Sequence, residues 1–438
     1  MNTILEDLYK IFQEYQSVAT DTRKITEGCI FFALKGDTFD GNTFAEKALE
    51  LGASCAVIDN PTFKKDDNYI LVEDVLTTLQ DFARFYRRKF DFPVIAITGS
   101  NGKTTTKELV AAVMSSQYNT HYTKGNFNNH IGVPLTLLEL NADHEVAIIE
   151  MGANHQGEID LLCNIAEPTH GLITNMGKAH LEGFGGLEGV KKGKSEMYRW
   201  LAAHKGTIFV NEDEPFLQDY IPEDARVIGY HRSTAPSLKT PQYEVTLEPS
   251  ESFLKVGFLN SKGEMLYVLT NLVGEYNFAN IATAVAVGKY FKVNTAKMKA
   301  ALESYVPSMN RSQLVDYKGS TIIMDAYNAN PTSMRNALLN LSKMPQSHKV
   351  AIIGDMRELG NESFQEHQDI LNLANSLNFN QLITVGTEFG KVNTGDTEGG
   401  HFKETIHAAE WFKSQNFDKD TCILIKGSRG MRLETLLN

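Results

Sequence analysis

The sequence contains few cysteines and no long apolar run. These two features narrow the classes of protein to which the chain can belong. Its 4 cysteines are scattered and form no CxxC pair. That spacing disfavours zinc and disulfide frameworks and is typical of free thiols in a reducing cytosol. No apolar stretch approaches the roughly 18 to 20 residues that span a bilayer, and residues 1–10 lack the pattern of a signal peptide. We therefore expect a cytoplasmic protein without a membrane span.

Basic charge is also scarce. The chain carries 42 lysines and arginines against 54 aspartates and glutamates, for a formal net charge of -12. Proteins that bind nucleic acids usually present a basic face, so we expect no nucleic-acid partner. The length of 438 residues suggests about three domains.

Short apolar runs alternate with helical patterns along the chain, which is typical of an α/β protein. We predict three domains, at 1–89, 90–307 and 308–438. The first is a small N-terminal α/β domain. The second is a central parallel sheet with an antiparallel addition, and the third is another open α/β sheet. The strands predicted for the two larger sheets are 94–98, 146–150, 171–175, 207–211, 321–325, 349–354, 381–386 and 422–426, with the antiparallel strands between 243 and 270.

The stretch TGSNGKTTT at residues 98–106 is the most informative part of the sequence. It follows an apolar run and opens a helical pattern, so backbone N–H groups and a helix N-terminus can face phosphate oxygens. Lys103 can reach the outer phosphates, and the Thr104 hydroxyl can ligate Mg²⁺. Gly99 and Gly102 lie closer together than the glycines of the general motif. The stretch predicts a nucleoside triphosphate site formed by Gly99, Ser100, Asn101, Gly102, Lys103, Thr104 and Thr105.

Polar residues stand near the predicted strand ends, where open α/β sheets bind ligands. Glu150 ends a strand and is a natural Mg²⁺ ligand, although an acid that merely ends a strand is the simpler alternative. His180 can ligate a metal or orient a phosphate, or be an ordinary loop residue. Lys194 follows other lysines, so a solvated helix face is its simple interpretation; near a metal, a lysine can also take up CO₂ as a carbamate. Asn277 and Asn280 can recognise a base edge, or Asn277 can cap a helix.

Two strands of the third segment end in polar turns. Asp325 is placed to accept hydrogen bonds from ribose hydroxyls, and Asn328 and Asn330 supply donors and acceptors. A turn rich in Asn and Asp that caps the following helix is an equally good interpretation. Lys426 and Arg429 lie in a glycine-rich turn that suits a carboxylate or a phosphate, or is simply solvated.

Taken together, these stretches resemble the Mur ligases, the ATP-dependent amide-forming enzymes of peptidoglycan precursor synthesis. The resemblance covers almost the whole chain. Its motifs are TDTR at 20–23, FALKG at 32–36, TGSNGKTTTK at 98–107, GNFNNHIGVPLT at 125–136, EMGANHQGEI at 150–159, HLEGFG at 180–185, DAYNANPTSM at 325–334 and KGSR at 426–429. EMGANHQGEI together with DAYNANPTSM resembles the member that adds a dipeptide. The Asp-Asn-Pro-Arg signature of the diaminopimelate-adding members is absent.

The resemblance implies a UDP-substrate domain, a central ATPase domain and a C-terminal Rossmann-like domain. It implies ATP and Mg²⁺ as cofactors and an acyl-phosphate route that joins D-Ala-D-Ala to UDP-N-acetylmuramoyl-tripeptide. We expect a monomer. The alternatives are another Mur or folylpolyglutamate-type ligase, a module that binds ATP without ligation, and a simple nucleotide hydrolase.

The resemblance also implies residue roles. The catalytic residues are Lys103, Glu150, His180 and Lys194. The metal ligands are Thr104, Glu150, His180 and, as a carbamate, Lys194. The further nucleotide contacts are Asn277, Asn280, Arg311, Asp325, Asn328 and Asn330. The substrate contacts are Thr22, Arg23, Asn128, Asn129, Lys426, Ser428 and Arg429. Tyr276 and Asn42 depart from the family pattern, since a histidine is common at both positions.

Overall fold

The computed structural model confirms an α/β protein and describes residues 2–214, 216–234, 243–393 and 400–437. Its strands form a four-stranded, a nine-stranded and a six-stranded sheet, together with a two-stranded hairpin. The three larger sheets follow one another along the chain. The domain boundaries at 89/90 and 307/308 stay predictions. No helix in the described ranges is both long and apolar enough to cross a membrane.

The N-terminal segment is a small parallel sheet covered by helices. Its helices are α1 (Asn2–Tyr15), α2 (Ala45–Glu50) and α3 (Val75–Arg87), and its strands are β1 (Val18–Ala19), β2 (Ile30–Phe32), β3 (Lys35–Gly36), β4 (Phe39–Asp40), β5 (Cys55–Ile58) and β6 (Tyr69–Leu71). The sheet order is β1-β2-β5-β6, and β3 and β4 form the separate hairpin. The core is aromatic, because Phe82 of α3 is buried with ring centres 5.5 Å from Phe12 and 6.3 Å from Phe32.

The central segment holds the nine-stranded sheet. Its strands are β7 (Val94–Thr98), β8 (Thr120–Tyr122), β9 (Val146–Glu150), β10 (His170–Ile173), β11 (Thr207–Asn211), β12 (Arg226–Arg232), β13 (Tyr243–Glu248), β14 (Phe253–Leu259) and β15 (Met265–Val273). Its helices are α4 (Lys103–Ser115), α5 (Gly132–Leu137), α6 (Glu158–Ala166), α7 (Leu181–Phe184), α8 (Leu187–Lys194), α9 (Glu196–Ala203), α10 (Phe278–Tyr290) and α11 (Thr295–Ser304). The order is β15-β14-β13-β12-β11-β10-β7-β9-β8. The antiparallel addition is confirmed by the pairing of β14 with β13 and β15.

The position of β7 explains where a site can form. All its residues are buried, as expected for an apolar strand inside a parallel sheet with helices on both faces. It lies between β9 and β10, and the register pairs Ile97 with Glu150 and Thr98 with Ile173. The carboxyl ends of these three strands therefore meet at one edge of the sheet.

The C-terminal segment is the second open sheet. Its strands are β16 (Gln313–Tyr317), β17 (Ser320–Asp325), β18 (His348–Gly354), β19 (Gln381–Val385), β20 (His401–Phe402) and β21 (Thr421–Lys426), and its helices are α12 (Pro331–Lys343), α13 (Ser363–Ser376), α14 (Thr387–Val392) and α15 (Thr405–Ser414). The order is β16-β17-β21-β18-β19-β20, with only β16 antiparallel among these described strands.

Short 3₁₀ helices occur in all three segments. They cover Thr22–Lys24, Gly41–Phe44, Pro61–Phe63, Gln218–Tyr220, Glu275–Asn277, Gly360–Glu362, Arg429–Met431 and Leu433–Leu437.

The structure adds elements that the sequence patterns did not indicate. Strands β8, β12 and β16 have few buried residues and so lack a continuous apolar run. The strand predicted at 171–175 ends at Ile173, because the side chains of Thr174 and Asn175 hydrogen-bond to Asn101 of the glycine loop after β7 instead. Elements with a buried face were predictable, whereas strands with few buried residues were not, whether they lie at a sheet edge, as β8 and β16 do, or inside the sheet, as β12 does.

We expect Phe82→Ala to lower the free energy of unfolding of the N-terminal segment by about 3 to 5 kcal/mol, because the lost ring leaves a cavity in the core. Urea unfolding followed by circular dichroism measures the change. Phe39 is the matched control, since 54% of its surface is exposed on the hairpin. Phe39→Ala should cost less than about 0.5 kcal/mol. Equal effects of the two changes would contradict the aromatic core.

Candidate active site

A polar cleft of about 1350 Å³ lies between the central and C-terminal sheets. Lys103, Glu150 and His180 line it from the central segment, and Asp325 and Lys426 line it from the C-terminal segment. All five lie at or beyond the carboxyl ends of parallel strands, the position where open α/β sheets bind ligands. The structure thus brings together predicted residues from two sheets.

The loop after β7 has the backbone geometry of a phosphate cradle. Gly99 has φ of +142° and Gly102 has φ of +78°, in the region that favours glycine. A Cβ at Gly99 would lie 2.0 Å from Thr174 Oγ1. A Cβ at Gly102 would lie 2.6 Å from Asn280 Oδ1. Helix α4 begins directly after Gly102, so its N-terminal N–H groups face the cleft.

Asn175, which the sequence patterns did not indicate, holds this loop in place. Its Oδ1 accepts a 3.0 Å hydrogen bond from Asn101 N, and its Nδ2 donates a 3.1 Å bond to Asn101 O. Its backbone oxygen accepts a 2.9 Å bond from Ser100 N. Its place as the last residue of the strand predicted at 171–175 is the signal that could have identified it.

Lys103 is folded back against its own loop. Its Nζ donates hydrogen bonds to Gly99 O at 2.7 Å and to Ser100 O at 3.3 Å. Removal from bulk water lowers the pKa of this amine, an effect that Glu150 opposes and Arg311 reinforces. The two hydrogen bonds place the amine at the loop, where the phosphate oxygens of a ligand would favour its charged form.

Glu150 is buried at the tip of β9 and is held from two sides. Its Oε2 accepts a 2.9 Å hydrogen bond from Thr104 Oγ1, and its Oε1 accepts a 2.7 Å bond from Asn128 Nδ2. These hard oxygen donors fit Mg²⁺, which in nucleotide sites usually combines one or two carboxylates with phosphate oxygens. Within the described ranges, no group of three or more His, Cys, Asp or Glu residues could hold a metal ion.

His180 lines the cleft but is paired with a carboxylate from the other side. Its Nδ1 lies 2.5 Å from Glu358 Oε2, and this contact lowers the pKa of Glu358. Nearby, Lys178 forms an ion pair with Glu366 of α13. In this structure His180 therefore joins the central and C-terminal segments, and its role as a metal ligand stays a prediction.

Lys194 is buried, so the interpretation as a solvated helix face is wrong. The residue is 1% exposed, its Nζ donates a 3.0 Å hydrogen bond to Ala153 O, and the amine lies 5.0 Å from the centre of the Phe184 ring. Burial, and then the charge of Lys103, lower the pKa of this amine well below the ordinary value for lysine. An amine whose charged form is disfavoured is available as a nucleophile.

Asn277 and Asn280 connect to the helix of the phosphate loop. Thr106 Oγ1 donates a 3.0 Å hydrogen bond to Asn280 Oδ1, and Asn280 Nδ2 donates a 2.8 Å bond to Asn277 Oδ1. Asn277 precedes α10 but its side chain makes no capping bond, so the alternative that it caps this helix is wrong. Both residues line the cleft, and their contact with the nucleotide stays a prediction.

Asp325 and Lys426 form an ion pair across neighbouring strands. The register places them opposite each other on β17 and β21, and Lys426 Nζ lies 2.6 Å from Asp325 Oδ2. Lys426 also donates a 3.1 Å hydrogen bond to Asn328 O. The pair presents a carboxylate and an ammonium group at the wall opposite the phosphate loop.

Asn330 both caps a helix and contacts the loop. Its Oδ1 accepts a hydrogen bond from Ser333 N at the start of α12, which confirms the capping interpretation of this turn. Its Nδ2 donates a 2.7 Å bond to Asn101 Oδ1 across the cleft. The same side chain thus joins the two walls.

Two buried side-chain nitrogens at the cleft have neither a hydrogen-bond acceptor nor an ion-pair partner among the described residues. They are Asn101 Nδ2 and Arg311 Nε. The Arg311 guanidinium packs 3.6 Å from the centre of the Tyr327 ring. A buried donor without an acceptor costs free energy and is rare in native proteins, so ligand oxygens such as those of a nucleotide fit this cleft.

The predicted substrate contacts in the N-terminal and central segments divide into two groups. Asn128 and Asn129 line the cleft, whereas Thr22 and Arg23 do not, and the Arg23 side chain is 87% exposed. The N-terminal segment nevertheless reaches the edge of the cleft, because Gln80 Nε2 of α3 donates a 3.0 Å hydrogen bond to the backbone oxygen of His130, which lines it.

Ser428 and Arg429 lie behind Lys426 and outside the residues that line the cleft. Ser428 is buried, and its Oγ accepts a 2.9 Å hydrogen bond from Arg357 N. Arg429 forms a 3.1 Å ion pair with Glu434. In this structure both support the turn after β21, and their role as substrate contacts stays a prediction.

Three family domains match successive parts of the chain. The Mur ligase family catalytic domain matches residues 14–87, the Mur ligase middle domain matches 97–288, and the Mur ligase glutamate ligase domain matches 310–429. This chain belongs to the Mur ligase family.

Named relatives match this Mur ligase over nearly its whole length. The UDP-N-acetylmuramoyl-tripeptide--D-alanyl-D-alanine ligase of Bacillus subtilis (strain 168) is 35% identical over 434 residues, which cover 96% of this chain and 92% of the relative. The enzyme of the same name from Escherichia coli (strain K12) is 34% identical over 425 residues, with the same shares covered.

Solved structures agree with these matches. A crystal structure of MurF from Acinetobacter baumannii has a TM-score of 0.85 and 30% identity, and covers 98% of this chain and 97% of the other. A MurF ligase from Thermotoga maritima in complex with ADP has a TM-score of 0.82 and 25% identity, with 96% of each chain covered.

We expect Gly102→Ala to weaken ATP binding by about ten-fold or more, because the new Cβ would lie 2.6 Å from Asn280 Oδ1 and displace the loop. Isothermal titration calorimetry with ATP and Mg²⁺ measures the affinity. Gly319 is the matched control, since its φ of +91° is equally left-handed but a Cβ there would meet no atom within 4 Å. Gly319→Ala should keep the affinity within about two-fold. Equal affinities of the two variants would contradict the cradle.

Proposed function

We propose that this Mur ligase joins D-Ala-D-Ala to UDP-N-acetylmuramoyl-tripeptide at the expense of ATP. The observation that carries the proposal is that one cleft holds a phosphate loop on one wall and the Asp325–Lys426 pair on the other. The relatives that match 96% of the chain bear the name of this ligase, which supports the choice of substrates. The product is a peptidoglycan precursor.

The chemistry requires an activated carboxylate, because a free carboxylate is a poor electrophile. The γ-phosphoryl group of ATP is transferred to the terminal carboxylate of the tripeptide, which yields an acyl phosphate and ADP. The amine of D-Ala-D-Ala then attacks the acyl carbon. The new C–N bond forms, the amine loses a proton, and the C–O bond to phosphate breaks.

The protein contributes positions and charges to this reaction. The phosphate loop and Lys103 hold the phosphates and neutralise the charge of the transferred group. Thr104 and Glu150 would hold Mg²⁺, which when bound shields the charge of the phosphate oxygens. Asn128 keeps the Glu150 carboxylate in place through its 2.7 Å hydrogen bond. Asp325 and Lys426 act from the opposite wall, with Asp325 directed to the ribose hydroxyls.

Lys194 has a chemical reason to become a carbamate. Its depressed pKa leaves more of the amine unprotonated near neutral pH than in an exposed lysine. The unprotonated nitrogen can attack CO₂, so that a C–N bond forms and a proton is released. The carbamate is an anion, and it would add an oxygen ligand for a second metal beside His180.

We also propose that the enzyme acts as a monomer in the cytoplasm. One chain supplies both walls of the cleft and the residues of both sheets, so the site is complete without a second copy. Its nucleotide substrates are polar and charged, which suits an aqueous compartment.

The direct test is a product assay with purified protein, UDP-N-acetylmuramoyl-tripeptide, ATP, Mg²⁺ and candidate amines. Mass spectrometry should detect the tripeptide extended by D-Ala-D-Ala, with one ADP released per amide bond. A Glu150→Gln variant should lose this product, because an amide binds Mg²⁺ less strongly than a carboxylate.

Other results of the assay point to the alternatives. Extension by a single amino acid and none by D-Ala-D-Ala would refute the substrate and indicate another Mur or folylpolyglutamate-type ligase. Phosphate release at full rate without an amine would indicate a nucleotide hydrolase. ATP binding without any amide product would indicate a module that does not ligate.

Carbamate formation predicts a ¹³C nuclear magnetic resonance signal after equilibration with ¹³C-labelled bicarbonate near neutral pH. The wild type should show one carbamate carbon, and Lys194→Arg should lose it, because a guanidinium stays protonated. Lys192→Arg is the control, since Lys192 is exposed on the same helix. A signal that persists in Lys194→Arg would refute the assignment.

A further inference from the structure

A hydrogen bond between Tyr276 and Ser312 connects the central segment to the C-terminal segment. Tyr276 lies in the short helix before α10, and Ser312 lies directly before β16. Their hydroxyl oxygens are 2.8 Å apart, and both residues line the cleft. None of the roles assigned above uses this contact.

On the central side, Tyr276 adjoins the residues that hold the phosphate-loop helix. Asn277 follows it directly and accepts the 2.8 Å hydrogen bond from Asn280 Nδ2. Asn280 in turn accepts the 3.0 Å bond from Thr106 Oγ1, in the first turn of α4. A displacement of Tyr276 would therefore disturb the helix that faces the phosphates.

On the C-terminal side, Ser312 adjoins the Asp325–Lys426 pair. The backbone N of Ser312 donates a 3.1 Å hydrogen bond to Asp325 Oδ1, while Asp325 Oδ2 is paired with Lys426. Burial and the nearby charge of Asp325 raise the pKa of the Tyr276 hydroxyl, so this group stays protonated and either hydroxyl of the pair can donate. Hydrogen bonds on both sides of the peptide link between Tyr276 and Asn277 thus connect α4 to the ends of β17 and β21.

The linker at residues 305–312, between α11 and β16, is strained. Met309, Asn310 and Ser312 have φ values of +56°, +56° and +49°. Side chains other than glycine rarely adopt this left-handed region, and such strain persists only where surrounding contacts hold it. For Ser312 those contacts are the bonds to Tyr276 and Asp325. Loss of the Tyr276 bond removes one restraint on the linker.

We propose that Tyr276 is a positioning residue that couples the nucleotide side of the cleft to this linker and holds the two segments in the arrangement of this structure. We call this arrangement closed, and arrangements with the two segments farther apart open. It acts through Ser312 and not on the reacting atoms. The inference rests on the proposed function only in that ATP occupies the cleft.

The test measures the distance between the segments in the full-length protein without substrates. Spin labels at Lys262→Cys and Lys413→Cys, both exposed positions, report this distance by pulsed electron paramagnetic resonance. The four native cysteines are buried, which favours selective labelling. Tyr276→Phe keeps the ring and removes the hydroxyl, so the ratio of closed to open molecules should fall by about two- to ten-fold, the range for one net hydrogen bond.

Tyr230→Phe is the matched control. The Tyr230 hydroxyl lies 2.6 Å from Thr283 Oγ1, and both residues belong to the central segment. This change removes a comparable hydrogen bond and should leave the distance distribution unaltered. If Tyr230→Phe opened the protein as much as Tyr276→Phe, the coupling role would be refuted.

Ser312→Ala completes a double-mutant cycle. It should reproduce the effect of Tyr276→Phe on the closed fraction, and the double variant should show no larger effect than either change alone. Additive effects, or an unchanged distance distribution in Tyr276→Phe, would overturn the proposal. Failure of the wild type to extend the tripeptide would refute the proposed function instead, because the distance measurement requires no substrate.

Discussion

The site depends on the hydrogen bond that Asn330 Nδ2 donates to Asn101 Oδ1 across the cleft, at 2.7 Å. Each partner is held independently. Asn101 is bonded to Asn175, which lies just beyond the end of the neighbouring strand β10, and Asn330 caps the N-terminus of α12. The contact therefore joins two restrained elements, and not two free loops. As a consequence, the phosphate loop and the Asp325–Lys426 pair face one cleft.

The charges at the cleft complement a nucleotide. Desolvation lowers the pKa of both Lys103 and Lys194, and the two amines lie close enough for Lys103 to depress the pKa of Lys194 further. A bound triphosphate adds negative charge near Lys103 and so favours its protonated form. Lys194 lies behind the wall, where burial favours the neutral amine. One desolvated region thus suits a phosphate-binding cation and a nucleophilic amine.

Much of this site was predictable because its residues follow apolar strands. The runs before Gly99 and Glu150 predicted β7 and β9 with their observed limits, and the parallel arrangement implied that their ends would meet. Burial was harder to predict. Lys194 belongs to a polar helix of 8 residues, yet it packs on Phe184 and Ala153, so its local pattern indicated solvent. Asn277 had the sequence position of a helix cap, but its amide bonds to Asn280 instead.

By itself, the sequence determined the α/β class, the phosphate loop and the polar residues at the strand ends. These features follow from the short-range periodicity of apolar residues and from glycines whose backbone conformation depends on residues nearby in the sequence. Only the tertiary structure decided that His180 pairs with Glu358, that Lys194 is buried, and that Tyr276 reaches Ser312. Such contacts join residues far apart in the chain. Their formation depends on how the sheets pack, which no local pattern of residues specifies.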